Sequence, residues 1–237
     1  MVLRILSLAL LLTAPFVSAR AQSASRWQAA LRQQRLRSLS LAIGMAPSLT
    51  STGYRRQTLY PESNGQLVEP VWLDSRRTGI GFGAGATVYY TYAPGWSVGA
   101  GLWYHQQTIR QLRRPVAGPG TTLIRSRALR LPLSITFQPG TQRFSPLFTL
   151  GLLTDFGLPT QLVARRGSEP TQYLRVAQSI NPTFQASVGA GAAYRLGRQL
   201  TVQLQPTLIY GVGQFGGATT FHPTLELALQ TQALWRF

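Results

Sequence analysis

The chain has 237 residues and no cysteine. That excludes disulfide frameworks, thiolate metal sites and cysteine nucleophiles. Lysine is missing too, so all 23 basic residues are arginine. Six acids and two histidines leave little material for a metal centre, and no cofactor is expected. Charged residues are 12% of the chain, about half the share usual in soluble domains. Long apolar runs are also scarce. Ile5 to Leu12 is one, but it is too short for a spanning helix, which needs about 20 residues. A chain poor in charge, yet with mean hydropathy near zero, suits a sheet with one face in lipid and one face polar.

The first residues carry an export pattern. Arg4 supplies a positive start, Ile5 to Leu12 an apolar stretch, and Ala19-Arg20-Ala21 a small-x-small cleavage site. Residues 1–21 are expected to be removed. Residues 22–37 differ in pattern from the rest of the chain. Trp27 and Leu31 stand four apart among helix formers, and Arg32, Arg35 and Arg37 come after them. A short basic helix or a disordered periplasmic arm is expected there, before a barrel over 38–237.

From Ser38 onward the period is two. Leu39, Leu41, Ile43 and Met45 alternate with Ser38, Ser40, Ala42 and Gly44. Similar runs start near Ile80, Trp96, Leu129, Phe144, Phe184, Leu200 and Leu225, although Leu147 and Leu153 blur the parity of the fifth. Such alternation puts one residue set on each sheet face. Eight runs of this kind predict an all-β fold, an eight-stranded antiparallel transmembrane barrel.

The connections strengthen this expectation. Ala93-Pro94-Gly95-Trp96 and Gln138-Pro139-Gly140-Thr141 have Pro then Gly at their centres, the chemistry of a type II turn. Leu196 to Gln199 is another tight turn. Long connections are expected at about Pro47 to Thr78, Gln111 to Thr121, Gly157 to Ile180 and Val212 to Phe221. Short and long alternate, as in barrels whose turns face the periplasm and whose loops face outside. Tyr92, Trp96, Phe137, Phe144, Tyr194, Trp235 and Phe237 then fall in a periplasmic belt. Phe82, Tyr104, Phe184 and Tyr210 fall in an outer one.

With its leader, its alternating strands and the ending Leu229 to Phe237, the chain resembles the small bacterial outer-membrane barrels, such as the OmpX and OmpA membrane domains. The resemblance covers about Ser38 to Phe237 and is architectural. It implies location in the cell outer membrane. It also implies that Trp235 and Phe237 form an assembly signal read by the barrel-insertion machinery. It says little about biochemical role. Pro132 and Pro206 depart from the pattern, because a proline inside a closed sheet removes a ladder bond unless a bulge absorbs it. A bulge at Pro132 would reverse the facing of Arg125 and Arg127.

Three groups of residues could carry chemistry. Arg130 and Glu226 share inward parity and are expected to form a lumen ion pair, since an unpaired buried charge is costly. Inward glycines either leave a cavity or let Trp103, Tyr89 and Arg130 fold in. Filling is the expectation, because eight strands enclose only enough space for side chains. Arg110, Arg113, Arg114, Arg125 and Arg127 cluster around the third and fourth strands, with Arg55, Arg56, Arg76 and Arg77 nearby. They form either a solvated charged rim or a clamp for lipopolysaccharide phosphates or an acidic envelope partner. The arginine excess itself has two readings, genomic base composition or phosphate binding through the bidentate fork. Nucleic acid is not expected as a partner of an exported membrane protein.

His105, Asp155 and His222 map near the outer rim and could suit a lipid A-modifying enzyme. They are expected to lie far apart around the barrel, and no Gly-x-Ser-x-Gly motif is present. The expected role is therefore non-enzymatic: an envelope-structural or surface-binding protein acting through long outer loops. An accessory part of an envelope secretion or assembly machine is the main alternative. Deleting Phe237 is expected to lower insertion while leaving export intact. Comparing outer-membrane and periplasmic fractions of the two chains checks this, and equal insertion would remove the signal assignment.

Overall fold

The computed structural model describes residues 38–237 except 60–61, 64–65, 68–70, 113–119, 141, 167–170, 177–180 and 215–223. The leader and arm expected over residues 1–37 lie outside the described residues. Strands are β1 (Ser38–Leu59), β2 (Glu62–Ser63), β3 (Gln66–Leu67), β4 (Val71–Ala93), β5 (Trp96–Leu112), β6 (Gly120–Phe137), β7 (Phe144–Arg166), β8 (Gln172–Val176), β9 (Thr183–Arg195), β10 (Leu200–Gln214) and β11 (Thr224–Arg236). Eight of them, β1, β4 to β7 and β9 to β11, pair antiparallel with their neighbours in this order and close into a ring. The first and last strands meet along Ser40↔Arg236 to Thr52↔Thr224, and Phe237 N donates to Leu39 O at 3.1 Å.

The alternation in the sequence is the alternation of faces. Leu39, Ile43, Met45, Phe82, Val88, Leu133, Leu150, Leu208 and Leu227 are exposed on the outside. Ser40, Thr87, Ser187, Gln203, Gln205 and Gln232 are buried inside. An outer face this apolar belongs in hydrocarbon, where the closed ladder leaves no sheet edge unpaired. Both expected belts are present on that face. In the periplasmic one, Trp96 packs on Phe137 with ring centroids 4.6 Å apart. Arg143 lies 5.4 Å from the ring of Tyr194, where a guanidinium is attracted to the aromatic face. Leu147 and Leu153, which blur the fifth run, face inward and are buried.

Several expectations are corrected. Three strands run well past the expected boundaries: β1 continues to Leu59, β4 starts at Val71 and β7 reaches Arg166, whereas the connection expected at about Gln111 to Thr121 agrees with β5 ending at Leu112 and β6 starting at Gly120. An antiparallel ladder satisfies its backbone in water as well as in lipid, so strands need not stop where the apolar alternation stops. A register shift between Tyr54 and Gln57 in the β1–β4 pairing further hides the period there. The short strands β2, β3 and β8 carry no alternation that would announce them. β8 pairs with the top of β7, and Glu62 of β2 pairs with Arg175 of β8. Gly95 has φ of 76°, as a type II turn requires. The connection after Phe137 of β6 is longer and runs on to Phe144.

The prolines cause no bulge of their own. On both sides of Pro132 the β5–β6 register is unchanged, with Ala100↔Leu133 below and Trp103↔Arg130 above. Pro206 likewise interrupts the pairing to β9 without shifting it. Each proline costs a ladder bond on one side and keeps the register. The bulge of β6–β7 lies instead between Arg125 and Arg127, where Gln161 and Leu158 are their partners. The extra residue is on β7, beside Pro159. Arg125 and Arg127 therefore keep the outward parity of Leu129.

Inside, the glycines make room for large side chains. A Cβ on Gly85 would lie 2.5 Å from Trp103 Cγ, and one on Gly99 would lie 2.6 Å from Tyr89 Cε1. Trp103 Nε1 donates to Thr87 Oγ1 at 2.9 Å, and Tyr89 OH donates to Gln232 Oε1 at 3.0 Å. Both polar tips are thus satisfied by partners within the protein. Gly85→Ala is expected to destabilise the barrel by about 1–3 kcal/mol through overpacking. Gly197→Ala, with nothing within 4 Å of the added carbon, should change stability by less than about 0.5 kcal/mol. Urea unfolding in lipid vesicles reads both, and equal effects would refute the packing account.

Candidate functional site

The lumen holds one tight ionic network. Arg130 on β6 projects inward opposite Trp103 of β5 and Asp155 of β7. Its Nε donates to Asp155 Oδ1 at 2.8 Å and its Nη2 to Asp155 Oδ2 at 2.9 Å. This is the two-pronged fork that guanidinium and carboxylate form best. Across the lumen, Arg130 Nη2 donates to Glu226 Oε2 on β11 at 3.0 Å. Gln185 on β9 closes the group, donating from Nε2 to Asp155 Oδ2 at 2.9 Å. His105 Nε2 on β5 lies 3.3 Å from Glu226 Oε1, a charge contact when the ring is protonated, though outside hydrogen-bond alignment. Arg130 is 8% exposed, so these charges are held with little water, where a lost partner is costly.

Five of the eight barrel strands thus contribute to one network. Parity in the sequence pairs Arg130 with Glu226, but strand order sets His105 and Asp155 far apart around the barrel. The structure links those two only through Glu226 and Arg130. An eight-stranded lumen is so narrow that inward side chains from opposite walls touch. The signal that could have found the contact is again parity: Asp155 shares the inward set of Leu147 and Leu153, and an acid on a lipid-facing strand has nowhere else to point. His222 lies outside the described residues.

Inward side chains are buried above and below the network. Toward the outside, Ile109, Ile124 and Leu162 are almost fully buried, and Gln107 Nε2 donates to Thr50 Oγ1 at 2.6 Å. Toward the periplasm, a cavity of about 70 Å³ lies between the network and the Trp103 and Tyr89 side chains. It is large enough for a few water molecules. Gln205 Nε2 and His105 Nε2 belong to residues that line it, and neither has a hydrogen-bond partner in the protein. Filling by Trp103, Tyr89 and Arg130 and a residual cavity therefore coexist.

The outer rim is the second candidate. Arg110 is exposed at the top of β5. Arg125 and Arg127 are half-buried on the outward face of β6, and Arg127 Nη2 donates to Gln161 Oε1 at 2.7 Å. Arg113 and Arg114 lie outside the described residues. The side chains of Arg55, Arg56 and Arg76 are likewise not described. In the periplasmic belt, Trp235 and Phe237 are exposed side by side on the outward face.

Closed ladder, lipid-facing belts and a lumen lined by buried side chains define the class: a small transmembrane β-barrel of the outer-membrane type. No protein-family model matches the chain, and no curated protein matches it in sequence. Among solved structures it is similar to Neisserial surface protein A, at 10% identity over 84% of this chain and 97% of that one, with a TM-score of 0.42. It is also similar to the attachment invasion locus protein Ail of Yersinia pestis, at 11% identity over 84% and 98%, TM-score 0.34. OprG from Pseudomonas aeruginosa is a further one, at 11% identity over 84% and 95%, TM-score 0.37. Likeness at this level says nothing of ligand or role.

Arg130→Met leaves Asp155 and Glu226 facing each other without a cation. It is expected to cost about 3–5 kcal/mol. Adding Asp155→Asn and Glu226→Gln should recover much of that loss, because the stranded charges are then gone. Urea unfolding in vesicles measures both. A loss near the roughly 0–1 kcal/mol of an exposed pair would mean the network is solvated.

Proposed function

We propose that the chain is a non-enzymatic outer-membrane barrel with a sealed lumen, envelope-structural or surface-binding, and that it works through its outer rim and loops. The observation that carries this reading is the buried Arg130 network spanning the lumen, with Ile109, Ile124 and Leu162 also buried on the inward face nearer the outer end. A solute would have to break a desolvated ion network and displace packed aliphatic side chains to pass, and each step is costly. What remains accessible to a partner is the outside.

The same packing argues against lipid A chemistry at the histidine and carboxylates. His105 and Asp155 are buried in the lumen and engaged by Glu226 and Arg130. An acyl chain in the outer leaflet would meet the outer wall first. A general base needs to reach the proton it removes within hydrogen-bond distance. The partners that fit this reading are outer-membrane lipid and lipopolysaccharide on the outer face, with an envelope protein at the loops. The barrel-insertion machinery would read Trp235 and Phe237.

Reconstituted in planar bilayers, the purified chain is expected to show no sustained open-channel steps. Liposomes carrying it should not swell in isosmotic sugar. Stable single-channel steps would overturn the sealed-lumen reading.

A further inference from the structure

The outward face of the barrel has a polar notch cut into its apolar surface. Ladder register fixes its place. Ile80 of β4 pairs with Thr108 of β5, which pairs with Arg125 of β6, which pairs with Gln161 of β7. One step nearer the membrane centre, Phe82 pairs with Gln106, Gln106 with Arg127, and Arg127 with Leu158. Ile80 is 70% exposed and Phe82 47% exposed, so at these ladder levels β4 still presents apolar side chains to lipid. On β5 and β6 the same levels carry Gln106, Thr108, Arg125 and Arg127. Directly below lie Tyr104 and Leu129, both on the outer apolar surface.

The charges in the notch are unbalanced. Arg125 and Arg127 sit two apart on one strand face, roughly 7 Å from each other. Arg110 is diagonal to Arg125, at a comparable spacing. No carboxylate pairs with any of the three among the described residues; Asp155 and Glu226 are committed to Arg130. Arg127 donates from Nη2 to the neutral Gln161, and its buried Nε has no hydrogen-bond partner in the protein. Like charges this close repel, and at the edge of hydrocarbon water relieves them poorly. A multivalent anion delivered at headgroup depth relieves them well, since guanidinium binds phosphate by a fork.

We infer that Arg125 and Arg127, with Gln106 and Gln161 beside them, bind the phosphate of a phosphorylated outer-leaflet lipid whose acyl chain lies along Tyr104 and Leu129. The inference rests on the outward-acting reading above and narrows it to one face of the barrel. The placement selects a lipid over a soluble polyanion. On their own strands the arginine and glutamine side chains are followed directly beneath by the lipid-facing Tyr104 and Leu129, and a ligand arriving from water has no acyl chain to lay on that surface.

The test uses the full mature chain refolded in zwitterionic detergent micelles. It is titrated with bisphosphorylated lipid A, with the same lipid after removal of both phosphates, and with inorganic pyrophosphate, and binding is read by tryptophan fluorescence and by native mass spectrometry. Wild type should bind bisphosphorylated lipid A at least tenfold more tightly than the dephosphorylated lipid or pyrophosphate. Arg125→Gln with Arg127→Gln should lose more than about tenfold, because the charge-assisted fork to phosphate is then gone. Arg125→Lys with Arg127→Lys keeps the charge and loses the fork, so an intermediate loss is expected. It also serves as the readout if the glutamine variant fails to fold. Equal affinity of wild type and the lysine variant would overturn the proposal. So would pyrophosphate binding as tightly as the lipid. Conductance of the same preparation is scored separately, so an open lumen would defeat the sealed-barrel reading without touching the notch.

Discussion

A peptide group in hydrocarbon has no water to bond with, and a sheet that crosses lipid can therefore have no edge. That constraint organises this molecule. It is met where β1 joins β11, along a ladder that ends with Phe237 N on Leu39 O, and where β7 joins β9 from Phe144↔Tyr194 to Asp155↔Thr183. Closure also explains why Pro132 and Pro206 are tolerated. Each forfeits one bond inside a ladder held in register on both sides, and slipping by one residue would turn every apolar side chain toward the lumen.

Closing the ring with eight strands sets the lumen width, and the width decides what the interior can be. Side chains from opposite walls reach one another. Trp103 and Tyr89 fill the middle against Gly85 and Gly99. Charges that alternation drives inward are brought together as the Arg130, Asp155 and Glu226 network. Ile109, Ile124 and Leu162 are buried on the same inward face nearer the outer end. Polar atoms inside are costly when unpaired, so a narrow barrel with inward arginine and acids is driven to one connected arrangement. Chemistry available to a partner is left to the outer face, where Arg125 and Arg127 stand directly above the lipid-facing Leu129 and Tyr104.

Much of this is legible in the order of residues alone. Period two assigns Ser40, Gln203 and Glu226 inward and Ile43 and Leu227 outward, because lipid and lumen impose opposite polarity on successive residues. Pro94-Gly95 announces its turn through the positive φ that only the second position needs. Other features leave no such mark. Pro139-Gly140 carries the same dipeptide, yet the chain there takes a longer path. Above the lipid neither strand face has to be apolar, so the true ends of β1, β4 and β7 carry no periodic signal. The bulge opposite Arg125 and Arg127 belongs to β7, and β6 alone could not reveal it.

By itself the sequence determined which residues face lipid, which face inward and in what order the strands run, since these follow from local alternation and turn chemistry. Tertiary structure alone decided which inward residues meet. His105, Arg130, Asp155, Gln185 and Glu226 come from five strands, and parity places a residue on a face without saying what stands opposite. Closure supplies that answer, because the register around the ring fixes heights and the narrow lumen turns equal height into contact.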